Sequence, residues 1–168
     1  MFRQGRLCFE SDTQEVASEL QPTGARVHVV KEKPGSRLRS PCAIAASLDI
    51  LGDRWTLLVL RDILLAGKSR FGDLVAEEKI ATSVLSERLQ RLTDAGILAR
   101  IRDTTDRRRW VYLPRSPAVE LIPILVDLMS WGDSHSAGEA PMPVNGEGVD
   151  RESLIADLTD KARAIVVD

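Results

Sequence analysis

The feature that most restricts the fold of this chain is a change of hydrophobic period near residue 97. Before that point, three leucines recur at the i, i+4, i+7 spacing of an amphipathic helix: Leu85, Leu89 and Leu92. After it, residues 97–102 alternate apolar and polar in their second half, as a strand does, and residues 109–113 are aromatic and β-branched. Because a polar turn at 103–108 separates these runs, we predict a helix followed directly by a β-hairpin with an arginine-rich tip.

Three further helices are predicted before the leucine-striped one. The first covers 41–51 and begins at a Ser-Pro pair, which is a helix-start signal. The second, capped by Asp53, is apolar on nearly every side and therefore belongs at the centre of a small core. The third is short, follows Ser69, and is joined by a polar corner to the fourth helix, 82–95. Two short helices joined by a tight turn, with a hairpin directly after them, give the order of a winged helix-turn-helix.

The remaining segments differ in composition. Residues 1–39 are poor in apolar side chains and rich in turn residues, so we expect a flexible N-terminal arm. Residues 117–131 carry a broad apolar face with Pro123 inside it, which predicts one helix kinked at the proline. Residues 134–168 read as an acidic tail with one further helix at 151–166. The expected fold is mainly α with a small β-hairpin, and the winged-helix domain is expected over 40–133.

Composition argues against several classes of protein. The 168 residues fit one domain, and two cysteines are too few for a disulfide scaffold or a four-cysteine zinc site. His28 and His135 are far apart, and no Gly-rich phosphate loop follows a strand, so we expect no enzyme, metal or cofactor. No apolar run reaches roughly 18 residues and no signal peptide is visible, so we expect a cytoplasmic, nucleoid-associated protein. The three tryptophans are interpreted as core anchors: Trp55, Trp110 and Trp131.

Charge is distributed unevenly along the chain. The formal net charge is −2, yet residues 82–115 hold eight arginines against four acidic residues. Residues 116–168 hold ten acidic residues against three basic ones. A basic middle in an acidic chain favours a local patch for a polyanion, since binding follows the local field. A solvated arginine-rich face is the alternative interpretation.

Three stretches together resemble the HxlR-type winged-helix transcriptional regulators, which are relatives of the MarR family. They are LDILGDRWTLLVLRDILLAGKSRFGDL (48–74), IATSVLSERLQRLTDAGIL (80–98) and PILVDLMSWGD (123–133). The resemblance implies a dimeric DNA-binding regulator that pairs through helices 41–51 and 117–131. Pro114 and Arg115 depart from the family pattern, so the second wing strand is expected to end early. The wing tip looks closer to that of MarR proteins, and the arm before residue 40 is longer than the family norm.

The helix starting near Thr82 is the expected recognition helix, because the opening turn of such a helix reaches base edges in the major groove. The predicted base contacts are Thr82, Ser83 and Glu87, with Val84 against a thymine methyl, and Ser86 is a further predicted DNA-binding residue. The predicted phosphate contacts are Lys68, Arg70, Arg88, Arg91, Arg107, Arg108 and Arg109. For Arg88 the alternative is an ion pair with an acid inside the domain. The basic wing as a whole is expected to cover 97–113.

Cys42 is the one reactive-group candidate. It is expected in the first turn of a helix, where the macrodipole favours a thiolate. Some members of the resembling family use a cysteine at about this place to sense oxidants or electrophiles. The alternative is a small hydrophobe buried at the dimer interface. Cys8, in the N-terminal arm, is not expected to pair with it.

The predicted function is that of a homodimeric transcriptional regulator that binds a pseudo-palindromic operator on double-stranded DNA. Repression by promoter occlusion is the simplest mechanism, and a small molecule or oxidant is compatible as effector. Two alternatives stay open: a winged-helix protein-interaction module without DNA binding, and a regulator whose Cys42 state sets DNA affinity.

Overall fold

The computed structural model describes residues 42–76, 79–135 and 150–168. Within these ranges the chain forms seven helices and one two-stranded antiparallel sheet. In chain order they are α1 (Ala43–Leu51), α2 (Thr56–Leu64), α3 (Phe71–Ala76), α4 (Thr82–Asp94), β1 (Leu98–Arg102), β2 (Trp110–Pro114), α5 (Ser116–Val119), α6 (Ile122–His135) and α7 (Arg151–Arg163). The prediction of a mainly α fold with a small hairpin is confirmed.

Helix α2 lies at the centre of the core, as its nearly uniform apolar sequence predicts. Val59, Leu60 and Ile63 are at most 1% exposed. The leucine stripe of α4, predicted to face inward, is completely buried in the same cluster. Full burial of a leucine side chain contributes about 1.5–3 kcal/mol, so the stripe fixes which side of α4 faces solvent.

The corner between α1 and α2 depends on one close backbone approach. The predicted Ser-Pro start of α1 lies outside the described residues; the helix begins at Ala43, with Cys42 as N-cap. The Gly52 N–H donates to the carbonyl oxygen of Leu48 at 2.8 Å. A Cβ atom at position 52 would lie 2.4 Å from that oxygen, so only glycine fits this turn.

The hairpin has the predicted order, but its second strand is longer than expected. Residues 98–102 of β1 pair with 114–110 of β2, so Pro114 lies opposite Leu98 at the end of the ladder. The next residue continues the pairing, since the Arg115 N–H donates to the Ile97 carbonyl at 3.0 Å. The expected early end was wrong because proline at a strand end loses only an N–H, while its carbonyl still accepts a hydrogen bond from Val167 N–H at 3.1 Å.

The segment after the hairpin forms two helices where one kinked helix was predicted. Helix α5 ends at Val119, and α6 begins at Ile122. Pro123 therefore lies in the first turn of α6, where a missing N–H removes no intrahelical hydrogen bond. Helix α6 continues through Gly132 to His135.

The described part of the predicted acidic tail packs into the domain. Helix α7 buries Leu158 and Ala162, and Ile165 follows them into the interior. Asp168 accepts hydrogen bonds from the backbone N–H of Ser116 at 3.1 Å and from its hydroxyl, so the chain end is tied to the start of α5. Residues 150–168 thus belong to the same core as the winged helix. The predicted arm (1–39) and most of the segment 134–149 lie outside the described residues.

Candidate nucleic-acid interface

The outer face of α4 is polar and exposed at its opening turn. Ala81 is the N-cap, and no side chain caps the helix. Thr82, Ser83, Ser86 and Glu87 are exposed, as expected for residues that reach a ligand from this helix. Val84 is half-buried against the core, so only part of its side chain is available to a partner.

The arginine in the middle of α4 faces the α1–α2 corner. The Nε of Arg88 donates to Asp53 Oδ1 at 2.8 Å, and a terminal nitrogen donates to Glu87 Oε1 at 2.8 Å. The Arg88 side chain is only 16% exposed. Burial disfavours its charge, but the bonds to Glu87 and Asp53 outweigh this and raise the pKa of Arg88. The structure therefore shows the internal ion pair that sequence analysis held as the alternative.

Asp53 is the carboxylate that accepts the hydrogen bonds of the α1–α2 corner. It accepts from the backbone N–H groups of Trp55 at 2.9 Å and Thr56 at 3.2 Å, and from the Thr56 hydroxyl. Burial raises the pKa of Asp53, but these bonds and the charge of Arg88 more than compensate and leave the pKa below its ordinary value. Asp53 therefore binds the backbone just before α2, although the N-cap of that helix is Trp55 and not Asp53 as predicted, and it also ties this point to α4.

A second α4 arginine reaches the same corner. One terminal nitrogen of Arg91 donates to the carbonyl oxygen of Asp49 at 2.7 Å, and the other lies 3.9 Å from Asp53 Oδ2. The side chain remains 42% exposed. Arg91 thus joins α4 to α1 and still presents part of its guanidinium to solvent.

The two cations expected at the start of α3 are both paired with buried carboxylates. Lys68 Nζ lies 3.2 Å from Asp62 Oδ2, and Arg70 Nε lies 3.1 Å from Asp103 Oδ2. The Asp62 and Asp103 side chains are 5% and 1% exposed. Arg70 also forms an isolated β-bridge with Val111, so it belongs to the base of the wing as much as to α3.

Asp103 organises the wing turn, a role that sequence analysis missed. Its Oδ1 accepts from the Thr105 N–H at 2.8 Å, the Thr105 hydroxyl at 2.7 Å and the Asp106 N–H at 3.4 Å. Its Oδ2 accepts from Arg70. The hydrogen bond from the Thr105 hydroxyl, aided by these other donors, lowers the pKa of Asp103 to about 2 although burial opposes this. The Asp-Thr-Thr-Asp sequence of the turn is the local signal, because aspartate often bonds to backbone two residues ahead.

The three arginines of the wing tip are exposed as predicted: Arg107, Arg108 and Arg109. Arg109 Nε lies 3.2 Å from Asp106 Oδ2, and the Arg108 N–H donates to Asp106 Oδ1 at 3.0 Å. The tip is therefore a hydrogen-bonded turn, and its cations point outward from a defined backbone.

Two strand arginines stack on an aromatic ring. The guanidinium carbons of Arg100 and Arg102 lie 4.2 and 3.7 Å from the ring centroid of Trp110. Trp110 is thus a half-buried platform under two cations, and its interpretation as a core anchor was wrong. An Arg-x-Arg alternation paired with an aromatic strand residue is the signal that could have identified this cluster.

The large apolar side chains that remain exposed in the described chain all lie on α1 and α6: Ile44, Leu48, Ile50, Ile124, Leu128 and Trp131. Trp131 is 62% exposed, so it is not the core anchor that was expected. Trp55, in contrast, packs against the core. A groove of about 680 Å³ runs between α1, the start of α2 and the α5–α6 junction. Helices α1 and α6 overlap the segments 41–51 and 117–131, through which the resemblance implies dimerisation.

The remaining reactive candidates are placed as follows. Cys42 is exposed at the N-cap of α1, one residue before the helix rather than inside its first turn, and Cys8 lies outside the described residues. His135 is exposed and stacks on Trp131 with the ring centroids 4.8 Å apart. Within residues 42–76, 79–135 and 150–168, no group of three His, Cys, Asp or Glu side chains could hold a metal ion. No helix in these ranges is long and apolar enough to cross a membrane.

Known proteins resemble this chain over its central part. An uncharacterized HTH-type transcriptional regulator of Mycobacterium bovis is 34% identical over 93 residues, which are 55% of this chain and 58% of that protein. A regulator of the same description from Mycobacterium tuberculosis gives the same figures. The chain therefore spans less than two thirds of the length of these relatives. A crystal structure described as that of a candidate transcription factor superposes with a TM-score of 0.56 at 26% identity, covering 62% of this chain and 72% of that one.

The HxlR-like helix-turn-helix family matches residues 50–140, a range that contains α2, α4, the wing and α6. This range covers more than half of the chain and coincides with the helix-turn-helix and hairpin described above. The chain belongs to the HxlR-like helix-turn-helix family.

Proposed function

We propose that the protein is a homodimeric regulator that binds a pseudo-palindromic site on double-stranded DNA and represses by occluding the promoter. The observation that carries this proposal is the orientation of α4. Its leucine stripe is fully buried, and its hydroxyl-bearing opening turn is exposed with no side-chain cap. Such a turn fits the major groove, which is wide enough to admit one helix.

The exposed apolar face of α1 and α6 supports the homodimer. Ile44 is 71% exposed and Ile124 is 53% exposed, and both line the groove between these helices. Contiguous exposed apolar surface on a small domain marks an interaction site. A second copy of the chain brings an identical face, and we propose that a two-fold axis through it presents both α4 helices to one side of the duplex.

The wing supports contact with the phosphate backbone. Arg107, Arg108 and Arg109 are exposed on a turn that is held by Asp103 and Asp106. Adjacent like charges repel one another unless an anion compensates them; Asp106 pairs with Arg109, and DNA phosphates provide the compensation for the neighbouring arginines. Of the cations predicted from the sequence as phosphate ligands, these three have the most suitable placement.

The exposed apolar face of α1 and α6 also suggests a second candidate function, regulation through Cys42. The residue is exposed and caps the helix that contributes half of the proposed dimer face. Oxidation or alkylation of its thiol would introduce bulk or charge beside that face and change the dimer geometry.

A cytoplasmic, nucleoid-associated location is part of the proposed function.

The decisive experiment selects bound duplexes from a random DNA pool with the full chain. We expect enrichment of a two-fold symmetric motif with half-site centres about 10–10.5 base pairs apart. Thr82→Ala and Ser83→Ala are expected to weaken this motif. If the chain enriches no sequence and retards no duplex in a gel, it is a protein-interaction module instead.

A second experiment tests the wing through its salt dependence. Replacement of Arg107, Arg108 and Arg109 by Ala should reduce the slope of log K against log salt by up to about 2.7, since each phosphate contact contributes about 0.9. Lys161→Ala with Arg163→Ala on α7 is the control for lost positive charge. An unchanged slope in the triple variant contradicts the phosphate role of the tip.

A further inference from the structure

One face of the wing sheet carries cations that the proposal above does not use. Strand β1 alternates sides, so Arg100 and Arg102 share one face. Their Cα partners across the ladder are Tyr112 and Trp110. Both arginines are exposed, whereas Tyr112 is buried in the core. The face therefore consists of two arginine heads on an aromatic base.

Trp110 restricts where these two heads can lie. Their guanidinium carbons are 4.2 and 3.7 Å from the ring centroid. An arginine stacked in this way keeps the N–H groups at its edge available for a second partner, because stacking uses only the face of the plane. Arg102 also donates to the Arg107 carbonyl at 3.2 Å, so its position is fixed relative to the tip.

The carboxylates of the hairpin are engaged elsewhere. Asp103 is 1% exposed and bonds to Arg70, and Asp106 pairs with Arg109. Among the described residues, Arg100 and Arg102 form no ion pair with a carboxylate. No carboxylate of the described chain therefore balances the positive charges of these two arginines on the Trp110 ring. This arrangement favours an anion bound from solvent.

We propose that Arg100 and Arg102, held on Trp110, form a second phosphate-binding surface for the DNA backbone, separate from the wing tip. Residues two apart on a strand are separated by about 6.6 Å, so the pair spans a short stretch of the duplex, on which each strand carries one phosphate per roughly 3.4 Å of helix axis. The wing then contacts the backbone along the length of β1 as well as at its tip. The inference rests on the proposed DNA-binding function and adds to it two phosphate-binding residues, Arg100 and Arg102, and the Trp110 ring that positions them.

The test measures the affinity of the full chain for a 20-base-pair duplex of arbitrary sequence by fluorescence anisotropy, over a series of KCl concentrations. Arg100→Ala with Arg102→Ala should reduce the log–log slope by up to about 1.8, at about 0.9 for each phosphate contact. The matched control, Lys161→Ala with Arg163→Ala, removes the same charge from α7 and should keep the wild-type slope. Circular dichroism melts of both variants establish that they are folded.

A second measurement keeps the inference testable if the double variant fails to fold. Acrylamide quenching of wild type and of Trp110→Phe isolates the emission of Trp110, and added duplex should protect that emission. Wild-type binding with an unchanged slope in the folded double variant, or with unprotected Trp110 emission, overturns the inference and leaves the proposed function intact. Failure of the wild type to bind any duplex overturns the proposed function itself.

Discussion

The wing carboxylate Asp103 allows a quantitative test of how the hairpin is held. The substitution Asp103→Asn keeps one side-chain oxygen for Thr105 but removes the negative charge that pairs with Arg70. The substitution weakens the bonds from both Thr105 and Arg70, because a neutral amide oxygen is a weaker acceptor than a carboxylate. We expect a lower free energy of unfolding at neutral pH and weaker DNA binding, since the wing loses its link to Arg70.

The magnitude follows from the pKa of Asp103. The hydrogen bond from the Thr105 hydroxyl and the other donors hold this pKa at about 2, against an ordinary value of 3.8. The difference corresponds to at most about 2.4 kcal/mol, at 1.36 kcal/mol for each pH unit. Arg70 is 30% exposed, so solvent screens part of the interaction, and we expect about 1–2 kcal/mol. Because the folded state binds this proton more weakly than the unfolded state, the stabilisation is complete above about pH 4 and is lost as the pH falls towards about 2.

The assay is urea unfolding of wild type and Asp103→Asn at intervals between pH 7 and pH 2. The two free energies of unfolding should differ by about 1–2 kcal/mol at pH 7 and converge near pH 2. Asp160→Asn on the exposed face of α7 is the control and should follow the wild type throughout. A gap between Asp103→Asn and wild type that stays constant down to pH 2 would refute the proposed origin of the stabilisation.

Three further predictions concern α1 and α6. Ile124→Asp with Leu128→Asp should give folded monomers by light scattering, because both side chains are about half exposed in the single chain; a surviving dimer contradicts the proposed interface. Gly52→Ala should lower the free energy of unfolding by about 1–3 kcal/mol, a typical cost of overpacking, since its Cβ would lie 2.4 Å from the Leu48 oxygen; a thermal melt equal to that of wild type opposes this. Cys42→Ser should abolish any response of DNA binding to peroxide or quinone, and a response that persists in the variant excludes Cys42 as the sensor.

Leu125 of α6 shows why the substitutions that test the dimer interface have to be chosen from the structure. Leu125 lies in the same apolar run as Ile124 and Leu128, and the sequence gives no reason to treat it differently. In the fold it is 3% exposed and belongs to the core cluster. A charged residue at position 125 would therefore unfold the domain, whereas the same change at position 128 alters an exposed side chain of the proposed interface.

The helix breaks show a similar limit of sequence patterns. The apolar pattern over 117–131 is continuous, so it predicts a single helix with Pro123 inside. The observed break before Ile122 places that proline in a first turn. A pattern of side chains does not report where the backbone hydrogen bonds stop, and helix ends are its least certain feature.

The sequence by itself determined the elements and their order, because helical and strand periods are local properties that a window of a few residues contains. The leucine stripe of α4, the hairpin after it and the arginines at its tip could all be predicted in this way. Only the tertiary structure decided which arginines are available to a ligand. The partners of Arg88 and Arg70 lie 35 and 33 residues away along the chain, at Asp53 and Asp103. An ion pair depends on distance in space, so folding holds these two cations inside the domain and leaves those of the wing exposed.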